Sequence, residues 1–393
     1  MALIAISSLD TVAVRSTAAK PPAVSASSTP EEPLVAKKDE ILEVGSDSLF
    51  QRLFPNRTTH LFSSHSHSRL KRYSAHALSL KKAFNLIRDL ARGRYQLIAL
   101  AATGKALWNP HQSLFKNLAS VARHLHCPVS LAPYLVAWTG HLFKVPMVAY
   151  DLRDTMLIAQ ENFFLFRYVR CFFKREIPQN RWQVFLATTP KNGDVSNIRR
   201  QAFFQTAMAK VRPLPLHIGP ETYSFSQVSP EEKRVDIFYA GENPKTTVRT
   251  DGVPVLRELE RLGVVVDMPE ERQDEAEFRR RMSRAWLAWS PEGSGWECHR
   301  HYEALIYGTV PVINYPTVYR YKPLIDGVHA LYYGCEEDDL MRVVLRALED
   351  KAALVRIIAS GRSHLERWYS ASSVTEYVLR ECRLSESSDV LAQ

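Results

Sequence analysis

Residues 290–316 read SPEGSGWECHRHYEALIYGTVPVINYP, and they carry the residue types needed to hold a phosphorylated ligand. Gly293 and Gly295 lack a Cβ, so the backbone between them can approach a ligand closely. Arg300 can grip phosphate oxygens with two N–H groups, and Glu303 can accept from a pair of sugar hydroxyls. Three residues apart, they share one face of a helix. The helix start after the glycines would add unpaired backbone N–H groups aimed at a diphosphate. A plain loop followed by an intrahelical ion pair explains this stretch equally well on its own, because short glycine motifs recur by accident.

A second loop, YAGENPKTTVRTD at 239–251, places Lys245 and Arg249 beyond the end of another apolar run. In an open parallel sheet the carboxyl ends of the strands share one crevice, so these two cations would face the glycine loop. The plainer alternative is a solvated turn.

The elements that must position these residues come in two alternating series. In the first, TTHLFSS, YQLIALAA and VPMVAYDLRD read as strands. SAHALSLKKAFNLIRDLARG, LFKNLASVARHL and ENFFLFRYVRCFFKREIP read as helices, the last with Arg167, Arg170 and Lys174 on one face and Pro178 as its stop. That mixed aromatic and basic helix would also suit an anionic membrane interface. The second series starts at residue 234: RVDIFYAG, Val264–Asp267, WLAWSPEG and VPVINY as strands, with VPVLRELERLG, EAEFRRRMSRA and CHRHYEALIYG between them and DDLMRVVLRALED as a late helix. Two successive βαβ series predict an α/β chain of two doubly wound, Rossmann-like domains facing a cleft. The expected organisation is a disordered tail at 1–45, an acceptor-side domain at 46–215, a nucleotide-binding domain at 216–375 and a C-terminal tail at 376–393. Proline-rich VRPLPLHIGPE at 211–221 serves as the linker.

Charge is distributed unevenly. Residues 51–200 hold 23 Lys/Arg against 6 Asp/Glu, a net of +17, whereas 201–393 hold 24 against 29, a net of −5. So basic a block attracts anions, whether nucleic acid, an anionic membrane surface or a phosphorylated or acidic substrate. No recognisable nucleic-acid module accompanies it, which argues against that partner. The five cysteines (Cys127, Cys171, Cys298, Cys335, Cys382) are scattered without a CxxC pair. They point to a reducing compartment and away from a disulfide framework or zinc site. The apolar run at 131–150 is broken by Pro133, Gly140, Lys144 and Pro146, so it reads as a helix and a strand rather than a membrane span. MALIAISSL lacks a basic leader, which argues against a secretory signal.

Residues 235–330, with DIFYAG, SPEGSG, Arg300-His301-Tyr302-Glu303-Ala304-Leu305, Gly308 and Pro311-Val312-Ile313, resemble the donor-binding domain of GT-B glycosyltransferases, with the exostosin-like and group 1-type enzymes nearest in character. The likeness spans roughly residues 59–370. It implies a nucleotide-sugar donor as substrate, no cofactor, and a diphosphate neutralised by basic side chains without a metal. Lys245 and Arg249 would be diphosphate ligands, Arg300 a phosphate or sugar contact, and Glu303 the ligand of a ribose or sugar hydroxyl. The acceptor would be an anionic or lipid-linked glycan, as in polysaccharide biosynthesis. The enzyme would be a hexosyltransferase of the cytoplasm, peripheral to the inner face of a membrane.

The sequence departs from that family in one respect. Retaining members carry two glutamates eight positions apart around this helix, whereas Glu292 and Glu297 stand eleven and six before Glu303. The spacing leans toward inversion, which needs a base for the acceptor hydroxyl. Candidates are His67, with His65, in SSHSHS, and Asp151 and Asp154 in DLRD. The histidines could equally sit in a polar loop, being too few for a metal site, and Asp151 could equally cap a helix or pair with Arg153. A non-catalytic protein that binds polyanions or glycans on the same scaffold is the alternative reading.

Overall fold

Short apolar runs without polar alternation form strands buried on both faces, which is the habit of parallel sheets covered by helices. The computed structural model describes residues 41–45, 47–62, 75–77, 80–102, 113–115, 118–119, 132–189, 193–195, 201–241, 246–336 and 338–389. The first lobe contributes β1 (Ile41–Val44), β2 (Thr58–Phe62), β3 (Ala75–Ala77), β4 (Leu97–Ala101), β5 (Met147–Asp151), β6 (Cys171–Lys174), β7 (Ile177–Pro178), a hairpin of β8 (Ala187–Thr189) and β9 (Gly193–Val195), and β10 (Val211–Pro213). Seven of these make one sheet in the order β10-β6-β5-β4-β1-β2-β3, parallel at each pairing.

The second lobe supplies β11 (Val235–Phe238), β12 (Val266–Asp267), β13 (Ala285–Trp289), β14 (Val310–Asn314), β15 (Val318–Tyr319) and β16 (Leu331–Tyr333). Its sheet runs β12-β11-β13-β14-β16, again parallel throughout. The remaining pair joins the lobes: β7 of the first runs antiparallel to β15 of the second, and Gln179 extends that ribbon by donating from its backbone to Thr317 O and from its side chain to Val318 O.

Both sheets carry apolar clusters on their two faces. One side of the first sheet packs Leu42, Ile98, Leu100, Val136 and Phe172, and the other packs Ile41, Ala99, Tyr150 and Phe173. In the second lobe Ile237, Leu287, Val310 and Val312 face one cluster, while Phe238 and Ala288 face another. Strand alternation places neighbouring residues on opposite faces, so each five-residue strand feeds two cores.

Several segments differ from the sequence reading, among them Ala75–Ala77, read as the start of a helix and found as β3, and Val211–Pro213, read as linker and found as the edge strand β10. The residues expected as a tail contain β1, which lies between β2 and β4 inside the first sheet; a four-residue strand interrupted by Glu43 is short enough to be overlooked among its acidic neighbours. The stretch expected as the helix ENFFLFRYVRCFFKREIP is a 3-10 helix, Gln160–Arg167, followed by β6. Aromatic residues favour strands when both faces can be buried, and Phe166 stacks on Phe172 with centroids 5.0 Å apart. Lys174 is fully buried against Asp151, so no basic helical face exists there for a membrane. The expected C-terminal tail is instead part of a helix, Ala371–Asp389. Val374, Tyr377, Val378 and Cys382 fall on one stripe of it and pack against Ile41, Phe50 and Phe173 of the first lobe.

That last contact makes the C-terminal helix part of the first lobe's core. Tyr377 lies edge-on to Phe173, tilts over Tyr321 at 4.1 Å between centroids, and donates to Pro213 O at 2.7 Å. Tyr377→Ala should therefore cost about 3–5 kcal/mol in chemical denaturation, as truncation of a buried aromatic does; a loss below about 1 kcal/mol would show the helix to be dispensable.

Candidate functional site

A cleft of about 1020 Å³ lies between the lobes, lined by Asp154, Arg175 and Leu216 on one side and by Arg249, Gly293–Gly295 and Glu297–Arg300 on the other. Its second-lobe wall is the segment that leaves β13. Ser290 is buried and donates its backbone N–H to Val312 O. Its hydroxyl meets His301 Nδ1 at 2.8 Å, and His301 Nε2 meets Trp296 O at 3.0 Å. A carbonyl can only accept, so Nε2 carries the proton and Nδ1 accepts from Ser290. Burial, with the nearby Arg320, Arg300 and Arg249 charges, holds the His301 pKa down to about 3, and the ring works as a neutral splint across the loop. Trp296 anchors the far end, donating Nε1–H to Asn314 O and Tyr315 O. Glu292 is tied to Asn314 at both its backbone N–H and its carboxylate.

The two glycines meet their neighbours at different distances. A Cβ on Gly293 would stand 3.1 Å from Arg249 Nη2. One on Gly295 would lie 2.1 Å from Glu176 Oε1, inside contact distance. Glu176 comes from the first lobe, between β6 and β7, and its Oε1 accepts the Glu297 N–H at 3.0 Å. Burial raises its pKa, against the Glu297 N–H bond and the Arg175 charge. Glycine is therefore needed at 295 for a close approach across the lobes.

Arg249 sits in the first turn of the helix Thr247–Arg261, which Thr246 caps by accepting from the Arg249 N–H. Its Nε donates to Glu292 O at 2.9 Å, leaving the rest of the guanidinium beside Gly293. Arg300 is in the first turn of the helix His299–Ile306. Its guanidinium lies over the Tyr239 ring at 5.9 Å, and Nη1 is buried with no hydrogen-bond partner among the described residues. A buried guanidinium N–H without a partner is costly unless a ligand supplies an acceptor. Cys298 and His299 line the cleft beside it, so the N-terminal end of this helix faces the same space.

Of the expected donor-side residues, the structure gathers Arg249, Gly293, Gly295 and Arg300 at the cleft. Glu303 is not among its lining residues. One turn deeper in the helix, it is half-buried, and burial raises its pKa, with Glu275 adding to the effect and Arg300 opposing it. Lys245 lies outside the described residues, as does His67 with His65.

The two aspartates of DLRD part ways. Asp151 is buried at the end of β5 and takes Arg153 Nε and Nη2 at 2.9 Å each, with Lys174 Nζ at 3.6 Å. Burial raises its pKa, but the Arg153 hydrogen bond and the Lys174 charge outweigh that and hold the carboxyl below its ordinary value. Asp151 is thus a structural ion-pair partner and is not placed to take a proton from a substrate. Asp154 does line the cleft and pairs with Arg175.

Sequence reasoning missed Arg175, Glu176, Glu297 and His299. Arg175 bridges the lobes: Nη1 donates to Leu152 O and Nη2 to Glu297 O. Glu297 is buried, accepts from Leu216 N at 3.0 Å and from the Tyr302 hydroxyl, and burial pushes its pKa up to about 7 against those bonds and the Arg175 charge. The only available signal was the extra glutamate in the SPEGSGWE loop. Among the described residues no group of three or more His, Cys, Asp or Glu could hold a metal ion.

No protein-family model and no curated protein matches the chain. Solved structures do match it. The apo form of the lipopolysaccharide outer core galactosyltransferase WaaB aligns with a TM-score of 0.51 at 8% identity, over 88% of this chain and 99% of that one. Anabaena Alr3699/HepE in complex with UDP gives a TM-score of 0.49 at 12% identity, over 87% and 98%. Acinetobacter baumannii MurG gives 0.43 at 10%, over 88% and 99%. At such identities likeness bears on fold alone. With two parallel sheets facing a cleft, the WaaB match makes this the GT-B fold, two Rossmann-like lobes.

Two outcomes follow from the loop. Gly295→Ala should cost about 1–3 kcal/mol by overpacking, and much less in a Glu176→Ala background; additivity within about 0.5 kcal/mol would show that the two do not touch. Glu297 binds its proton more tightly folded than unfolded, so it makes stability fall as pH rises from about 4.5 to about 7. Glu297→Gln should flatten that part of the stability–pH curve, and an unchanged slope would refute the assignment.

Proposed function

We propose that the chain is a glycosyltransferase that moves a sugar from a nucleotide-sugar donor to an acceptor. The observation that carries this is Arg300, with a buried, unpartnered Nη1 at a cleft it shares with Arg249 and a glycine loop. The donor diphosphate would lie against Gly293–Gly295, with Arg249, Arg300 and the N-terminal end of the helix His299–Ile306 meeting its charge. Lys245 would join them, and the nucleoside end would extend past Arg300 toward Glu303. Fixed donors aimed at the departing diphosphate supply most of the rate enhancement, because their cost of orientation is met on folding. Arginine in that role supports a reaction without cofactor or metal. WaaB, which shares the fold, is a galactosyltransferase, and this favours a hexosyl donor; the R-x-x-E-A-L-x-x-G-x-V-P-V-I segment favours the exostosin-like group within the fold.

The first lobe would take the acceptor. Its +17 over residues 51–200 suits an anionic glycan, as in polysaccharide biosynthesis. Phe84, on the helix Leu80–Ala91, and Trp138 and Leu142, on the helix Ala132–Leu142, are exposed apolar side chains on helices that pack together. Cations with exposed aromatics fit a peripheral contact with the inner face of a membrane and a lipid-linked acceptor. No helix among the described residues is long and apolar enough to cross a membrane. Asp154 is the proposed base for an inverting attack, in the cytoplasm.

Calorimetry against UDP-, GDP- and ADP-sugars tests this reading. One family should bind, and Arg300→Ala or Arg249→Ala should each weaken it roughly 10–100-fold, the worth of one charged hydrogen bond. Asp154→Asn should keep donor binding and lose turnover. A chain that ignores every nucleotide sugar yet binds polyanions in a salt-dependent way would instead be the non-catalytic binder.

A further inference from the structure

A second cavity of about 480 Å³ opens where the two lobes and the C-terminal helix meet, and it shares no lining residue with the cleft. Its volume falls within the roughly 300–1,000 Å³ range of small-molecule sites. Four cations line it: Arg212, Arg320, Lys322 and Arg380. Arg212 is matched by Glu381, Nε to Oε2 at 2.6 Å. Among the described residues, none of the other three has an ion-pair partner, so the cavity keeps an excess of three positive charges beside one internal pair.

Two of those cations are held in place by their surroundings. The Arg320 guanidinium lies over the Trp296 ring, 4.3 Å from its centroid, and donates Nη1–H to the Tyr332 hydroxyl at 3.0 Å. Its Nε is buried and has no hydrogen-bond partner among the described residues. Lys322 has a φ of +41°, a left-handed conformation that side-chain-bearing residues rarely adopt. Its carbonyl is pinned by His364 Nε2 at 2.9 Å and the Tyr369 hydroxyl at 3.0 Å, and its Nζ stands over Trp368 at 4.1 Å. Strain of this kind persists where neighbouring structure imposes it, and it clusters at functional sites. Arg380 adds a third charge from the exposed face of the C-terminal helix, above Tyr377. Tyr321 and Tyr377, 4.1 Å apart, contribute ring surface to the same cavity.

We propose that this cavity binds a phosphate monoester. A dianionic phosphate matches three cations that lack ion-pair partners among the described residues, and guanidinium groups meet its oxygens with paired N–H bonds. The tyrosine rings and the space beyond a single phosphate suit the organic part of the ester. Arg320 also touches Trp296 of the glycine loop, so a ligand here sits one side chain away from the cleft's wall.

The test is calorimetry on the full chain with a hexose phosphate, inorganic phosphate and the unphosphorylated hexose. The hexose phosphate should bind with a Kd of about 1 mM or tighter and more strongly than inorganic phosphate, and the hexose alone should not bind. The double variant Lys322→Glu/Arg380→Glu, both exposed positions, should weaken it at least tenfold while keeping the unliganded melting temperature. Arg300→Ala should leave it unchanged. Binding that survives the double variant, or that disappears with Arg300→Ala, would place the phosphate elsewhere and overturn the proposal. So would equal affinity for inorganic phosphate, or silence toward both phosphates.

Discussion

The contact on which the rest of the site depends is that between the Glu176 carboxylate of the first lobe and the glycine loop of the second. It accepts the Glu297 N–H and lies where any side chain at position 295 would have to go. Arg175, the preceding residue, reaches the Glu297 carbonyl and pairs with Asp154. The loop that forms one wall of the cleft is therefore held partly by the lobe opposite. Relative movement of the lobes and the shape of the glycine loop cannot vary independently, because one carboxylate and one guanidinium belong to both.

Around this contact the cleft is built for negative charge. Arg249 is oriented by the Glu292 carbonyl, Arg300 by the Tyr239 ring, and His301 is kept neutral inside the loop so that it braces without adding a charge. The carboxylates nearby are restrained in different ways: Glu292 by Asn314, Glu297 by burial and Tyr302, Glu176 by the loop N–H. Burial favours the neutral form of Glu297 and Glu176, which lessens their opposition to an anionic ligand.

Much of the fold was legible because parallel strands announce themselves as short apolar runs. The runs YQLIALAA and VPVINY contain β4 and β14 whole, and WLAWSPEG contains β13 but for Ala285 while running four residues past Trp289; the glycine loop, Arg249 and Arg300 converged as their positions after strands implied. Four-residue β1 escaped notice because its apolar side chains flank Glu43, whose buried carboxylate binds the N–H groups of Leu49, Phe50 and Gln51. The Cys171–Lys174 strand looked helical because its aromatic neighbours give no period of two when both faces are buried. The cross-lobe role of Arg175 and Glu176 was beyond reach, since it depends on a tertiary approach to residues some 120 positions away. Asp151 was read as a candidate base, yet its Arg153 partner two residues on shows that a local ion pair won over the cleft.

A crystal structure of the full chain with a nucleotide sugar, or with its nucleoside diphosphate, tests the central claim most directly. The diphosphate should rest on the backbone of Gly293–Gly295, with oxygens bonded to Arg300 Nη1 and to the free N–H groups of Arg249. A diphosphate bound away from that loop, or one that leaves Arg300 Nη1 still without a partner, would contradict the account.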